Sequence, residues 1–111
     1  MPKYLCLQRS LSEQPREKPS PSQMEEMFAA FRAWEETFKD NLPDLGGHLG
    51  NGTLVRADAE TDGPFVEVKE LVGGYMVVSA DTLDEAVSIA SQCPGLVQLG
   101  SGVEVIEIRS P

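Results

Sequence analysis

Positive charge, histidine and cysteine are the scarce ingredients of this chain. Nine lysines and arginines stand against eighteen aspartates and glutamates, a formal net charge of −9. That field repels a phosphate backbone, and no arginine or lysine cluster offsets it, so nucleic-acid binding is excluded. The apolar runs fall far short of the roughly 18 residues that suggest a membrane span, and residues 1–10 lack the apolar core of a secretion signal. A cytoplasmic chain with no membrane partner is expected. Cys6 lies in an apolar run and Cys93 precedes a proline. They match no paired metal spacing and read as buried, reduced thiols. There is no GxGxxG or P-loop pattern, no Ser-His-Asp order and no metal-ligand cluster, so no cofactor and no metal are expected.

What is present suffices for one domain spanning 1–111, long enough to bury about two-thirds of the surface its unfolded chain exposes. Tyr4-Leu5-Cys6-Leu7-Gln8 is a short apolar run without polar alternation, the mark of a strand buried on both faces. Between 10 and 22 the composition turns to Ser, Glu, Gln and the prolines Pro15, Pro19 and Pro21, which predicts a flexible connection around 10–20. Ser20, Pro21 and Gln23 form a helix start, with Ser22 and Glu25 as an equal alternative. Met24, Met27, Phe28, Phe31, Trp34 and Phe38 then keep helical spacing and predict a core-facing stripe. Asn41 and Pro43 end it. Asn51-Gly52, between Leu49 and Leu54, suggests a hairpin or a bulged strand.

The stretch from Thr61 to Val78 organises the rest. Asp62, Gly63 and Pro64 make a stiff chain reversal, in which the carboxylate can bond to nearby backbone donors and the proline fixes its own φ. Phe65 is thereby held beside a carboxylate, as a pocket wall or a core plug. Glu67, Lys69 and Glu70 follow in alternating sign, either as a solvated edge or with Lys69 holding an anionic group at a pocket mouth. Gly73-Gly74-Tyr75-Met76-Val77-Val78 is a bend followed by a strand apolar on both sides. Thr82-Leu83-Asp84-Glu85 reads as a capping box for a helix carrying Leu83, Ala86, Val87 and Ala90 and stopped by Cys93-Pro94-Gly95. A last strand covers 103–108.

The order strand, helix, strand, strand, helix, strand predicts an α+β, ferredoxin-like split βαβ fold: a four-stranded antiparallel sheet with two helices on one face. Apolar residues on both faces of the strands require a cover for the open face. A second copy of the chain, sheet against sheet, is the simplest one, which predicts a homodimer. For chemistry, His48 is the one group suited to near-neutral proton transfer and Asp62 is the carboxylate that could orient it or share its role; otherwise His48 is a surface residue and Asp62 a turn residue.

Asp62-Gly63-Pro64-Phe65, then Glu67, Lys69, Glu70, Gly73-Gly74-Tyr75 and the Asp84-Glu85-Ala86 helix ending at Cys93-Pro94, resemble the YCII-related family, in the branch named for its DGPF motif. The resemblance runs from Tyr4 to Ile108. It implies a ferredoxin-like fold forming a dimeric α+β barrel. The residues and the resemblance together leave three functions open, with no complete catalytic set visible. One is a small-molecule pocket near the turn, with Gly63, Pro64, Phe65, Lys69 and Tyr75 as ligand-binding residues. Another is a lyase or dehydrochlorinase-like proton-transfer enzyme using Asp62 and His48. A third is a regulatory partner linked to sigma-factor systems. Enzyme-like relatives carry a histidine on the first helix; here residues 24–38 contain none, and His48 lies beyond them.

Overall fold

The structure, a computed structural model, describes residues 1–10, 20–53, 55, 57, 72–97 and 100–110. The Asp62 to Phe65 turn, Lys69 and the connection at 11–19 lie outside the described residues. The elements in chain order are β1 (Lys3–Ser10), α1 (Pro21–Thr37), a single 3-10 turn (Lys39–Asn41), β2 (Asp44–His48), β3 (Val72–Ser79), α2 (Leu83–Ser91) and β4 (Ser101–Ile108). The four strands form one sheet in the order β2-β3-β1-β4, and β1 runs antiparallel to both β3 and β4. With one helix in each crossover, this is the ferredoxin-like split βαβ arrangement expected from the sequence.

Both helix starts follow from their residues. Ser20 Oγ accepts from the Gln23 backbone N–H at 3.2 Å, and the Gln23 side chain accepts from the Ser20 N–H at 2.8 Å. Pro21 occupies the first turn, where its missing N–H costs nothing. At α2, Thr82 Oγ1 accepts from the Glu85 N–H at 3.1 Å, but the Glu85 carboxylate returns to Asp81 N, 3.4 Å away, instead of to Thr82. The reciprocal half of that box is thus displaced by one residue.

The core lies between the sheet and the two helices. Cross-strand pairing sets which side chains face it, because residues directly opposite in an antiparallel ladder share a face. Met76↔Cys6↔Val105 is one such row, with Tyr4 and Val78 in the next. Trp34, Ala86, Ile89, Ala90 and Cys93 close over them. Both cysteines are free and buried.

Three expectations shift. The stripe on α1 is core only in its second half: Trp34 is 5 % exposed, whereas Phe28 is 56 % exposed, and Met24 and Met27 are exposed as well. Periodicity defines a stripe but not how far the surface beneath it extends; Trp34 is the residue that docks, donating its indole N–H to Ile89 O at 2.9 Å. On α2, Leu83 and Val87 are exposed and Ile89 is buried, because small Ala86 and Ala90 let the helix approach the sheet along their own edge. Finally, the strand expected around Asn51-Gly52 forms earlier, over Asp44–His48. Its irregularity falls between Asp44 and Gly47. Gly46 has φ +67, and a Cβ there would collide with the Tyr75 carbonyl oxygen; glycine alone fits this close approach.

The opposite face of the sheet carries Leu5, Val77 and Ile106 in one row and Leu7 and Tyr75 in the next. Tyr75, Ile106 and the neighbouring Ile108 are exposed. The expected two-sided apolar character of the strands is therefore present. Among the described residues no helix is long and apolar enough to cross a membrane.

Candidate functional site

A cavity of about 200 Å³ opens between the sheet and the helices, at the end of the core where β2, β3 and β1 lie side by side. Its walls are apolar: Phe31 from α1, Leu45 from β2, Cys6 from β1, Met76 from β3, Val103 from β4, and Cys93 and Leu96 just beyond α2. Among the described residues, Gln8 and His48 bring polar side chains to its border.

Register explains this distribution. His48 pairs with Gly74, Gly74 with Gln8, and Gln8 with Val103. These four residues form one row on the helix-facing side, neighbouring the Met76, Cys6 and Val105 row. Gly74 contributes no side chain, so the imidazole and the amide stand on either side of a gap. A Cβ at Gly74 would lie 3.0 Å from the Gly47 carbonyl oxygen and 3.5 Å from Gln8 Oε1, so even alanine would be crowded there. Among the described residues neither Gln8 nor His48 has a side-chain hydrogen-bond partner.

His48 is exposed at the edge strand and borders the cavity. Tyr75 borders it too, but strand alternation sends its side chain toward the open face, beside Leu7 and Gly47. The separation of His48 from Asp62, and the places of Gly63, Pro64, Phe65 and Lys69, fall outside the described residues. Reading the sequence missed Gln8, because a glutamine closing an apolar run looks like a strand end. The signal was the glycine pair Gly73-Gly74, whose partner strand could not be known without the register.

The thiols in the wall are poor nucleophiles. Burial pushes the Cys6 pKa up to about 11. Burial, and secondarily the charge of a Cys6 thiolate nearby, does the same to Cys93, also to about 11. Near neutral pH both are protonated and behave as small apolar groups. No group of three or more His, Cys, Asp or Glu among the described residues is placed to hold a metal ion.

The YCII-related domain model matches residues 4–110 of the chain. The chain belongs to the YCII-related family. Among solved structures, this YCII-related chain is similar to 5-chloro-2-hydroxyhydroquinone dehydrochlorinase from Burkholderia phenoliruptrix AC1100, in complex with 2,5-dihydroxybenzoquinone, at 21 % identity and a TM-score of 0.44. The likeness covers 92 % of this chain and 90 % of that one. No curated protein matches it.

Proposed function

We propose that this YCII-related protein is a cytoplasmic homodimer that binds a small molecule in the cavity between sheet and helices, near the Asp62-Gly63-Pro64-Phe65 turn. The observation that carries this reading is the cavity itself, with apolar walls and two polar side chains, Gln8 and His48, that have no partner among the described residues. Ligand sites are built this way, mostly apolar with a few placed polar groups. The dimer is supported by the apolar row of Leu5, Val77 and Ile106 on the face away from the helices, and the cytoplasm by two free thiols.

A metabolite screen by thermal shift tests the binding reading. A ligand at a hundred times its Kd stabilises the folded state by about 2.7 kcal/mol, and Val103→Trp, which fills the cavity, is expected to abolish that shift. A screen in which nothing raises the melting temperature overturns it.

The place of His48 at the cavity edge favours a second reading, proton transfer on the bound molecule by His48 with Asp62 as lyase-type acid and base. Wild-type protein would then exchange a ligand C–H proton with solvent deuterium, and His48→Ala and Asp62→Asn would each lose the exchange. No exchange in the wild type removes this reading.

A further inference from the structure

The cavity has the volume of one substituted ring and a polar edge on one side, which together limit what it can hold. An apolar cavity of about 150 Å³ accommodates benzene, whereas drug-sized ligands occupy roughly 300–1,000 Å³. At about 200 Å³ the space matches a single six-membered ring with one or two small substituents.

The polar edge is set by the row His48, Gly74, Gln8. Two inter-strand spacings, ~9.6 Å in all, separate the His48 and Gln8 backbones. Gly74 carries no side chain, and the Gly47 carbonyl oxygen and Gln8 Oε1 border that position, 3.0 and 3.5 Å from where a Gly74 Cβ would lie. The amide can both donate and accept. Among the described residues no lysine or arginine lines the cavity, and the chain carries a net charge of −9, so an anionic ligand meets no compensating charge from them.

We infer that Gln8 and Gly74 together set the specificity of this cavity, for an uncharged single-ring molecule whose hydroxyl or carbonyl group enters the gap above Gly74 and bonds to the Gln8 amide. The inference rests on the cavity being a ligand site. Gln8 is the group that distinguishes a polar ring from an apolar one of equal size. Gly74 is the position whose missing side chain admits the substituent.

Toluene, phenol and benzoate are nearly equal in size and differ in polarity and charge, so they form the test, with 1-naphthol as the size control. Each is titrated into the isotopically labelled full chain while the backbone amide signals of Gly74, His48 and Gln8 are followed by NMR. Phenol is expected to shift these amides and to bind about fivefold or more tighter than toluene and benzoate; 1-naphthol is expected not to enter. In Gln8→Leu the advantage of phenol over toluene disappears while toluene binding is kept, and Gly74→Ala weakens phenol more than toluene. Equal wild-type binding of phenol and toluene, tighter binding of benzoate, entry of 1-naphthol, or an unchanged phenol preference in Gln8→Leu each overturns the specificity assignment while leaving a ligand cavity in place. If none of the four probes perturbs these amides, the cavity reading itself fails. The wild-type comparison decides without any variant, so a poorly folding substitution does not remove the test.

Discussion

The indole N–H of Trp34 reaches from α1 to the backbone carbonyl oxygen of Ile89 on α2, at 2.9 Å and in a buried setting. This bond, with the tilted contacts of Trp34 to Phe31 at 5.4 Å and to Phe38 at 6.3 Å, holds the second half of α1 over the core. Trp34→Ala is expected to cost about 3–5 kcal/mol in chemical denaturation. Trp34→Phe keeps most of the packing and loses the bond, and should cost about 1–2 kcal/mol, since Ile89 O still accepts from the Gln92 N–H at 3.2 Å.

The bulge at Gly46 makes a separate prediction. Any side chain there meets both a positive φ and the Tyr75 carbonyl, so Gly46→Ala should destabilise the protein by roughly 1–3 kcal/mol. Because the bulge positions Leu45 and His48, the same variant should also weaken ligand-induced thermal shifts. Gly47→Ala is the control: nothing lies within 4 Å of a Cβ at Gly47, and its effect on both readouts should be small.

Alkaline pH tests the two wall thiols. Both have folded-state pKa values of about 11, above their ordinary 9.0, so folding favours the protonated form. Their contribution to stability is full below pH 9 and is lost as pH rises through 11. The denaturation midpoint should fall across that window, and less steeply in the Cys6→Ala, Cys93→Ala double variant. At pH 8 a thiol reagent should label the folded protein far more slowly than the denatured chain.

The open-face row of half-buried Leu5 and Val77 and exposed Ile106 provides the assay for self-association. Sedimentation should show a dimer for the wild type and a monomer for Val77→Lys or Ile106→Lys, with the monomer retaining its helical circular dichroism. A monomeric wild type would remove the sheet-to-sheet assembly from the proposal.

Much of the fold was legible because local chemistry and tertiary structure agree. Ser20, Pro21 and Gln23 start a helix, Thr82 starts another, and Cys93-Pro94-Gly95 stops it. The strands at Tyr4 and Tyr75 read correctly because an unbroken apolar run suits little else. Features made by pairing were hidden. The glycine-rich stretch suggested a bulge but not that Gly46 is the residue that passes the Tyr75 carbonyl, so β2 was expected around Asn51-Gly52 and forms several residues earlier. Likewise Met24 and Phe28 continue the helical stripe faithfully but extend past the surface that Trp34 meets. The candidate site was the least legible part: His48 was visible as a lone histidine, whereas Gln8 matters only once the register sets it across a side-chain-free position from that histidine.

Among the described residues the strand order leaves β2 and β4 as the rims of the sheet, and unpaired rims are where chains polymerise into fibres. β2 is short and interrupted by its bulge, which spoils it as a template. β4 is eight residues long and regular, but it carries Glu104 and Glu107, and a second molecule laid along it would bring another set of carboxylates close to these. That acidity therefore discourages edge-to-edge growth, and the proposed sheet-to-sheet dimer would join copies of this chain without forming an endless ribbon.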